Sequence, residues 1–271
     1  MRGLDPRIPT AVDSAAQKRG NVLRIKALVF DAYGTLFDVQ SVSRVIAGAF
    51  PAHSDYITQV WRLKQLEYSW LRSLMGRYED FLTVSRESLD YTLGTLGLVA
   101  DEALFTRILN AYDYLSPYPE AEEALGALKD YRLAILSNGS PGMLEALVGN
   151  TGLDRYLEAV ISVDAKRVFK PDPRAYELIQ EHLKVRPEEV LFVSSNGFDI
   201  AGARSFGLKV ARIERSAPEA LCAELTSGAP IGPSAMFRAL RTQPEALGYP
   251  PSAVVMMSLL ALPSLIDSLK G

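Results

Sequence analysis

The sequence predicts an α/β fold: a Rossmann-like parallel sheet with helices on both faces, carrying an inserted all-helical cap subdomain. Short, continuous apolar runs recur along the chain, as expected of strands covered on both faces. The first leads from Ile25 to Phe30. Then come RLAILSN (132–138), EAVISV (158–163), EVLFVSSN (189–196), LKVARI (208–213) and SAVVMM (252–257). Helical patterns alternate with the later runs: PEAEEALGALKD (119–130), PGMLEALVGN, PRAYELIQEHLK and FDIAGARSFG. Alternating strands and helices of these lengths argue for a parallel sheet. The stretch from Ser41 to about Tyr114 breaks the rhythm, because YITQVWRLKQLEYSWLRSLM, ESLDYTLGTLGL and DEALFTRILNAYDYL are helical in period and carry no strand signal.

Taken in order, residues 1–22 are polar, contain Pro6 and Pro9, and lack the apolar core of a secretory signal, so they read as a disordered lead. Residues 23–40 and 115–271 form the expected core domain and 41–114 the helical cap. An insertion placed just after the first strand lies over the C-terminal edge of the sheet, where open α/β folds bind ligands. The run AVVMMSLLALPSLI near the C-terminus is too short to span a membrane and is interrupted by Pro263. It reads as a buried strand followed by a docking helix.

Composition bounds the function. With 271 residues the chain buries a sizeable core as one large domain or two modest ones. Hydrophobic residues at 48% and charged residues at 23% fit a globular protein. A net charge of −3 leaves no basic footprint for nucleic acid or an anionic membrane. The single cysteine, Cys222, excludes an internal disulfide framework and fits a reducing cytoplasm; it reads as a small apolar residue on a helix. His53 and His182 both lie away from any serine motif, which argues against a Ser-His-Asp hydrolase. No HExxH, paired-cysteine, P-loop or dinucleotide pattern appears, so no metal and no nucleotide cofactor is expected.

Polar residues gather at the ends of the apolar runs. Asp31 closes the first, Ser137 and Asn138 close RLAILSN, and Lys170 follows EAVISV in FKPDP. Ser194, Ser195, Asn196 and Asp199 follow EVLFV. In a parallel sheet these ends share one crevice. Each has an ordinary structural reading, as a turn residue, helix cap or solvated lysine. Together they bring a carboxylate, a cation, amides and hydroxyls to one place.

In that order, FDAYGT, LSNGSP, VFKPD and SSNGFD resemble the haloacid dehalogenase superfamily. The cap stretch ITQVWRLKQLEYSWLRSLMGRY narrows the resemblance to the L-2-haloacid dehalogenase (type II) branch, over roughly residues 24–270. Phosphatases of the superfamily place a second acid two residues after the nucleophile; here that position is Tyr33. Asn196 stands where another acid is expected. Mg²⁺ wants several oxygen ligands, usually with carboxylates among them, and Asp31 and Asp199 beside Lys170 make a poor set.

The resemblance implies a metal-independent hydrolase with Asp31 as nucleophile, forming an aspartyl ester with an (S)-2-haloalkanoic acid and releasing halide and an (R)-2-hydroxyalkanoic acid. It implies that Thr35 orients Asp31, Lys170 keeps it ionised, and Ser137 binds the substrate carboxylate. It also implies that Arg62, Asn138 and the Phe198 ring cradle the halide, while Ser194, Asn196 and Asp199 position the hydrolytic water. Tyr176 joins this polar network, and Tyr33, Gln65, Phe81 and Leu66 shape the apolar wall. Without the resemblance Arg62 reads as a solvated helix residue, Phe81 as core, and Trp61, Tyr68 and Trp70 as helix packing. Some relatives carry tryptophan where Phe198 stands. The alternatives are a phosphatase, which Tyr33 opposes; a phosphonatase using the cap lysine Lys64; and a non-catalytic scaffold, which the intact set Asp31, Thr35, Lys170 and Asp199 opposes. Relatives are commonly homodimers, and apolar residues on more than one face of the helix around Tyr56 to Met75 agree with one.

Overall fold

The computed structural model describes residues 24–241 and 254–269. The N-terminal lead and the first residues of the last apolar run lie outside them. The apolar runs form six parallel strands: β1 (Ala27–Phe30), β4 (Arg132–Ser137), β5 (Ala159–Ser162), β6 (Val190–Ser194), β7 (Lys209–Ile213) and β8 (Val254–Met256), in the order β5-β4-β1-β6-β7-β8. β1 is central, every one of its residues is buried, and it pairs with β4 and β6 in one register: Phe30 faces Ile135 on one side and Val193 on the other. The residue after β1 therefore emerges level with the last residues of both neighbours. Order reverses at β1, and such a switch point opens a crevice at the strands' C-terminal ends.

A two-residue antiparallel ribbon, β2 (Phe37–Asp38) against β3 (Ser116–Pro117), marks where the chain leaves the sheet and returns. Between them run α1 (Ser43–Ala49), α2 (Ser54–Leu74), α3 (Phe81–Thr95) and α4 (Glu102–Leu109). Asp80 and Asp101 start α3 and α4 by accepting backbone N–H groups of Thr83 and Leu104. The buried stripe of α2 includes Ile57, Trp61, Arg62, Gln65, Leu66 and Ser69, spaced three and four apart. Trp61 is fully buried and its indole N–H donates to the Ser85 carbonyl of α3.

The remaining helices are α5 (Ala121–Ala127), α6 (Pro141–Thr151), α7 (Pro173–Leu183), α8 (Gly197–Phe206), α9 (Pro218–Leu225), α10 (Pro233–Arg241) and α11 (Leu262–Ser268). β8 corrects one expectation. It is an edge strand with Val254 and Val255 exposed, not a buried one, because it closes the sheet with a neighbour on one side only. Cys222 lies on α9 as expected but is exposed. Among the described residues no helix is long and apolar enough to cross a membrane.

Candidate active site

Asp31 follows β1 and donates its own N–H to the Val193 carbonyl of β6, which fixes it at the sheet's C-terminal edge. The chain must then turn at once. Gly34 provides the turn at φ 86°, a left-handed conformation that side chains rarely adopt, and its N–H donates to the Phe37 carbonyl. Thr35 is thereby folded back under Asp31. Its hydroxyl donates to Asp31 Oδ2 at 3.1 Å and accepts the Ser195 N–H at 2.9 Å. The Asn196 amide donates to the same Oδ2 at 2.9 Å and to the Tyr33 carbonyl at 3.2 Å.

Lys170 comes from the loop before α7. Its backbone N–H donates to Asn138 Oδ1 at 2.9 Å, so the LSN stretch after β4 seats it. The ammonium lies 3.2 Å from Asp31 Oδ1 and 2.9 Å from Asp199 Oδ2. It is 1% exposed, which puts it among the largest fully buried side chains. Burial pulls its pKa down, but Asp199 and Asp31 outweigh that pull and hold the ammonium above the ordinary lysine value. Asp199 sits in the first turn of α8, and Tyr176 of α7 donates to its Oδ1 at 2.8 Å. Burial drives the Asp199 carboxyl up to about 6 against the pull of Lys170, with Asp31 adding repulsion. Ser194 Oγ accepts the Asn196 N–H at 3.1 Å. One ammonium bridges two carboxylates, so the three groups together keep one negative charge. Among the described residues no group of three or more Asp, Glu, His or Cys could hold a metal ion.

Tyr33 stacks on Phe81 (centroids 5.7 Å apart, 20° between planes) and meets Tyr112 edge-on at 5.6 Å. Its hydroxyl is buried and has no hydrogen-bond partner among the described residues. Burial first, and Tyr112 next, push this phenol far above its ordinary range, so it stays a neutral donor. A Cβ at Gly139 would come within 2.7 Å of that hydroxyl, so only glycine lets the loop after β4 approach it. Arg62 of α2 lies with its guanidinium 5.8 Å from the Tyr33 ring centroid. It is 6% exposed, and its Nη1 donates to the neutral Gln65 Oε1 at 3.4 Å. Among the described residues no carboxylate lies within salt-bridge distance of Arg62. A buried guanidinium in that state can receive an anion.

Ser137, the last residue of β4, is buried, and its hydroxyl accepts the Gly139 N–H at 3.2 Å just ahead of α6. The start of an 11-residue helix favours negative charge there. Gln65 faces inward, donating to Ser85 Oγ at 2.9 Å and accepting from the Tyr112 hydroxyl at 2.7 Å. It holds Arg62 and Tyr112 in one buried network. Phe198 meets Trp70 edge-on at 5.2 Å, so both α2 and α8 press on this side of the site. Lys64 bonds Glu67 at 2.7 Å and lies over the Tyr91 ring, on the outer side of α2. Leu66 is buried on α2.

A cavity of about 360 Å³ reaches Tyr33, Arg62, Ser195 and Asn196 from outside. Its other walls hold residues that the motifs did not single out: Gln40 and Gln59, which bond each other, the stretch Arg212 to Ser216 after β7, and Ser234, Phe237 and Arg238 of α10. Ser195 was visible in SSNGFD as a strand-end hydroxyl. The others gave no signal, since they meet only when segments far apart in the chain close together.

The chain belongs to the haloacid dehalogenase-like hydrolases, whose family model matches residues 25–207. It is 58% identical over 247 residues to an (S)-2-haloacid dehalogenase of Xanthobacter autotrophicus, an alignment covering 91% of this chain and 97% of that one. An (S)-2-haloacid dehalogenase of Pseudomonas sp. strain CBS-3 is 47% identical over 193 residues, covering 70% of this chain and 85% of its own. The fold superposes on the L-2-haloacid dehalogenase of Xanthobacter autotrophicus with chloropropionic acid covalently bound. There the TM-score is 0.86 and the identity 57%, over 90% of this chain and 98% of that one.

Proposed function

We propose that this chain hydrolyses (S)-2-haloalkanoic acids to (R)-2-hydroxyalkanoic acids and halide through an ester on Asp31. The observation that carries the reading is a carboxylate at the end of the central strand, held by Thr35, Asn196 and Lys170, with the buried Arg62 over the Tyr33 ring and, among the described residues, without a carboxylate partner. The 58% identity to an (S)-2-haloacid dehalogenase supports the choice of substrate.

In the first step an Asp31 carboxylate oxygen attacks C2 in line with the carbon–halogen bond, and halide departs with the bonding pair. A nucleophile pinned by three donors is already aligned, and alignment supplies much of the rate. Ser137 and the start of α6 receive the substrate carboxylate. Arg62, with Asn138 and the edge of Phe198, receives the halide. In the second step water attacks the Asp31 carbonyl carbon and gives one proton to Asp199; the acyl C–O bond then breaks, the departing hydroxyalkanoate oxygen takes that proton, and Asp31 returns to a carboxylate as the second proton passes to solvent. The C2–O bond survives, so the inversion of the first step is kept. Splitting the hydrolysis in this way replaces one difficult displacement with two easier ones. Helices α1 to α4 act as a cap that excludes water and brings in Arg62.

Halide release from (S)- and (R)-2-chloropropionate, each with and without EDTA, tests the reading. Chloride from the S form alone, unaffected by EDTA, is expected. Chloride from neither, with magnesium-dependent phosphate release from a phosphate ester, contradicts it. Removing the guanidinium in Arg62→Ala is expected to lower kcat/KM on the order of 10²–10³-fold, the scale of losing a donor aimed at developing negative charge. Activity within a few-fold of wild type would remove Arg62 from the halide cradle.

The pH profile follows from Asp199. The carboxylate must be ionised to take the proton, so kcat is expected to fall about tenfold per unit as pH drops below about 6. Stability moves the other way. The folded-state pKa lies above the ordinary aspartate value, so protonation favours the folded state, and that contribution is lost as pH rises through about 6. Protonation of Asp199 therefore does not itself unfold the protein on the acid limb. A flat profile between pH 5 and 7, at constant folded fraction, would take the base role from Asp199.

The assembly is a homodimer and the chain works in the cytoplasm. The apolar, exposed end of α2, with Leu74 at 84% and Met75 at 62% exposure, supports the first, and the single cysteine the second. Light scattering is expected to give twice 29.7 kDa; the monomer mass at micromolar concentration would refute the dimer.

A further inference from the structure

The turn that carries Thr35 is gripped by a residue outside the matched family segment. Arg215 lies just past β7, at the same edge of the sheet as Asp31. Its Nη2 donates to the Thr35 carbonyl at 2.5 Å and its Nη1 to Glu120 Oε1 at 2.5 Å. The guanidinium carbon sits 3.5 Å from the centroid of the Tyr118 ring. Thr35 lies before β2, whereas Tyr118 and Glu120 lie after β3. One side chain thus ties the strand leaving for the helical insertion to the strand coming back.

Thr35 is completely buried, and no backbone N–H of the turn donates to its carbonyl. Its hydroxyl meanwhile bonds Asp31 and Ser195. The placement of that hydroxyl depends on the turn's backbone, and Arg215 holds the backbone from behind. We propose that Arg215 is a positioning residue: through the Thr35 turn it fixes the angle at which the Asp31 carboxylate meets its substrate. A planar fork suits the task, since it serves two acceptors at once while lying flat on a ring, which a lysine ammonium does not do. The Glu120 carboxylate neutralises the charge and sets the fork's orientation. Because both passages to the insertion are tied, loosening Arg215 also loosens the register between Asp31 on the sheet and Arg62 on α2. The proposal rests on the dehalogenase reading.

The test uses the whole chain with (S)-2-chloropropionate. Arg215→Met is expected to lower kcat on the order of 10–100-fold, the cost of misplacing a reacting group by a fraction of an ångström to an ångström, while KM changes by less than about threefold. Millimolar guanidinium is expected to restore part of the lost kcat in Arg215→Met and to leave wild type unchanged. Arg215→Lys keeps a cation beside Glu120 and is expected to fold like wild type with an intermediate kcat. Its thermal midpoint separates misalignment from unfolding. A kcat of both variants within about threefold of wild type overturns the proposal, as does a loss that follows the folded fraction and ignores guanidinium. A wild type that releases no halide overturns the dehalogenase reading and this proposal with it. An active wild type beside an undisturbed Arg215→Met overturns this proposal alone.

Discussion

Asp31→Asn abolishes turnover while leaving the fold in place. The loss of kcat is expected to exceed about 10³-fold, because the amide is no nucleophile and the proposed ester forms on Asp31. The fold survives because the amide occupies the same volume. Its oxygen can still accept from Thr35 and Asn196, which now meet at Asp31 Oδ2. The amide nitrogen, however, faces a Lys170 ammonium that now contacts Asp31 Oδ1 at 3.2 Å, so a modest loss of stability accompanies the loss of activity. Halide release and the thermal midpoint, measured together, check both halves. Slow residual halide release that grows over hours would point to deamidation back to aspartate, which a mass shift in the peptide holding residue 31 would reveal.

Lys170→Met produces the second large effect, and here stability and activity fall together. The ammonium is the buried counter-charge to Asp31 and Asp199, and among these three groups it is the only cation. Removing one partner from such a network leaves uncompensated buried charge, which costs about 3–5 kcal/mol. The penalty is pH-dependent. Burial already raises Asp199 to about 6, and without Lys170 it rises further, so acid relieves the repulsion by protonating it. The loss of stability is therefore expected to be larger at pH 8 than at pH 5. Urea unfolding at the two pH values measures it. Equal losses at both would mean that the lysine contributes through packing on the Phe192 ring, 5.0 Å from its nitrogen, and not through charge. Turnover is expected to vanish at either pH.

Much of this site was legible in the sequence because the sheet does the gathering. Asp31, Ser137, Ser194 and their followers stand at the ends of apolar runs, and parallel pairing in a single register brings such ends together. The structure also shows what Tyr33 does in the position where phosphatases carry a second acid. Its ring packs on Phe81 and Tyr112 and lies within reach of Arg62, so an aromatic wall stands where the superfamily's phosphatases carry a second acid. Other features were not legible. A periodic pattern shows Arg62 on a helix, but it cannot say that the arginine faces inward without a carboxylate. Gln65 reads as wall and turns out to be the polar joint between Arg62 and Tyr112. Arg215, Gln40, Gln59 and α10 reach the site through contacts between segments far apart in the chain, for which no local spacing exists. β8 misled because apolar composition marks a strand, while its position at the sheet edge is a property of topology.

These observations describe a division of labour. The sheet supplies a rigid edge on which Asp31, Lys170 and Asp199 are fixed by charge and by backbone. In the proposed mechanism helix α2 supplies the cation for the leaving group, the buried Arg62. The β2–β3 ribbon marks the passage between the two, and Arg215 bonds residues on both sides of it, Thr35 and Glu120.

The central claim is that the product's new oxygen passes through Asp31. A single turnover in H₂¹⁸O, with enzyme in excess over (S)-2-chloropropionate, tests it directly. The first product is expected to carry unlabelled oxygen taken from Asp31, and the label to appear in the peptide containing Asp31. Labelled 2-hydroxypropionate from that first turnover, with an unlabelled Asp31 peptide, would show that water attacks C2 directly and would contradict the account.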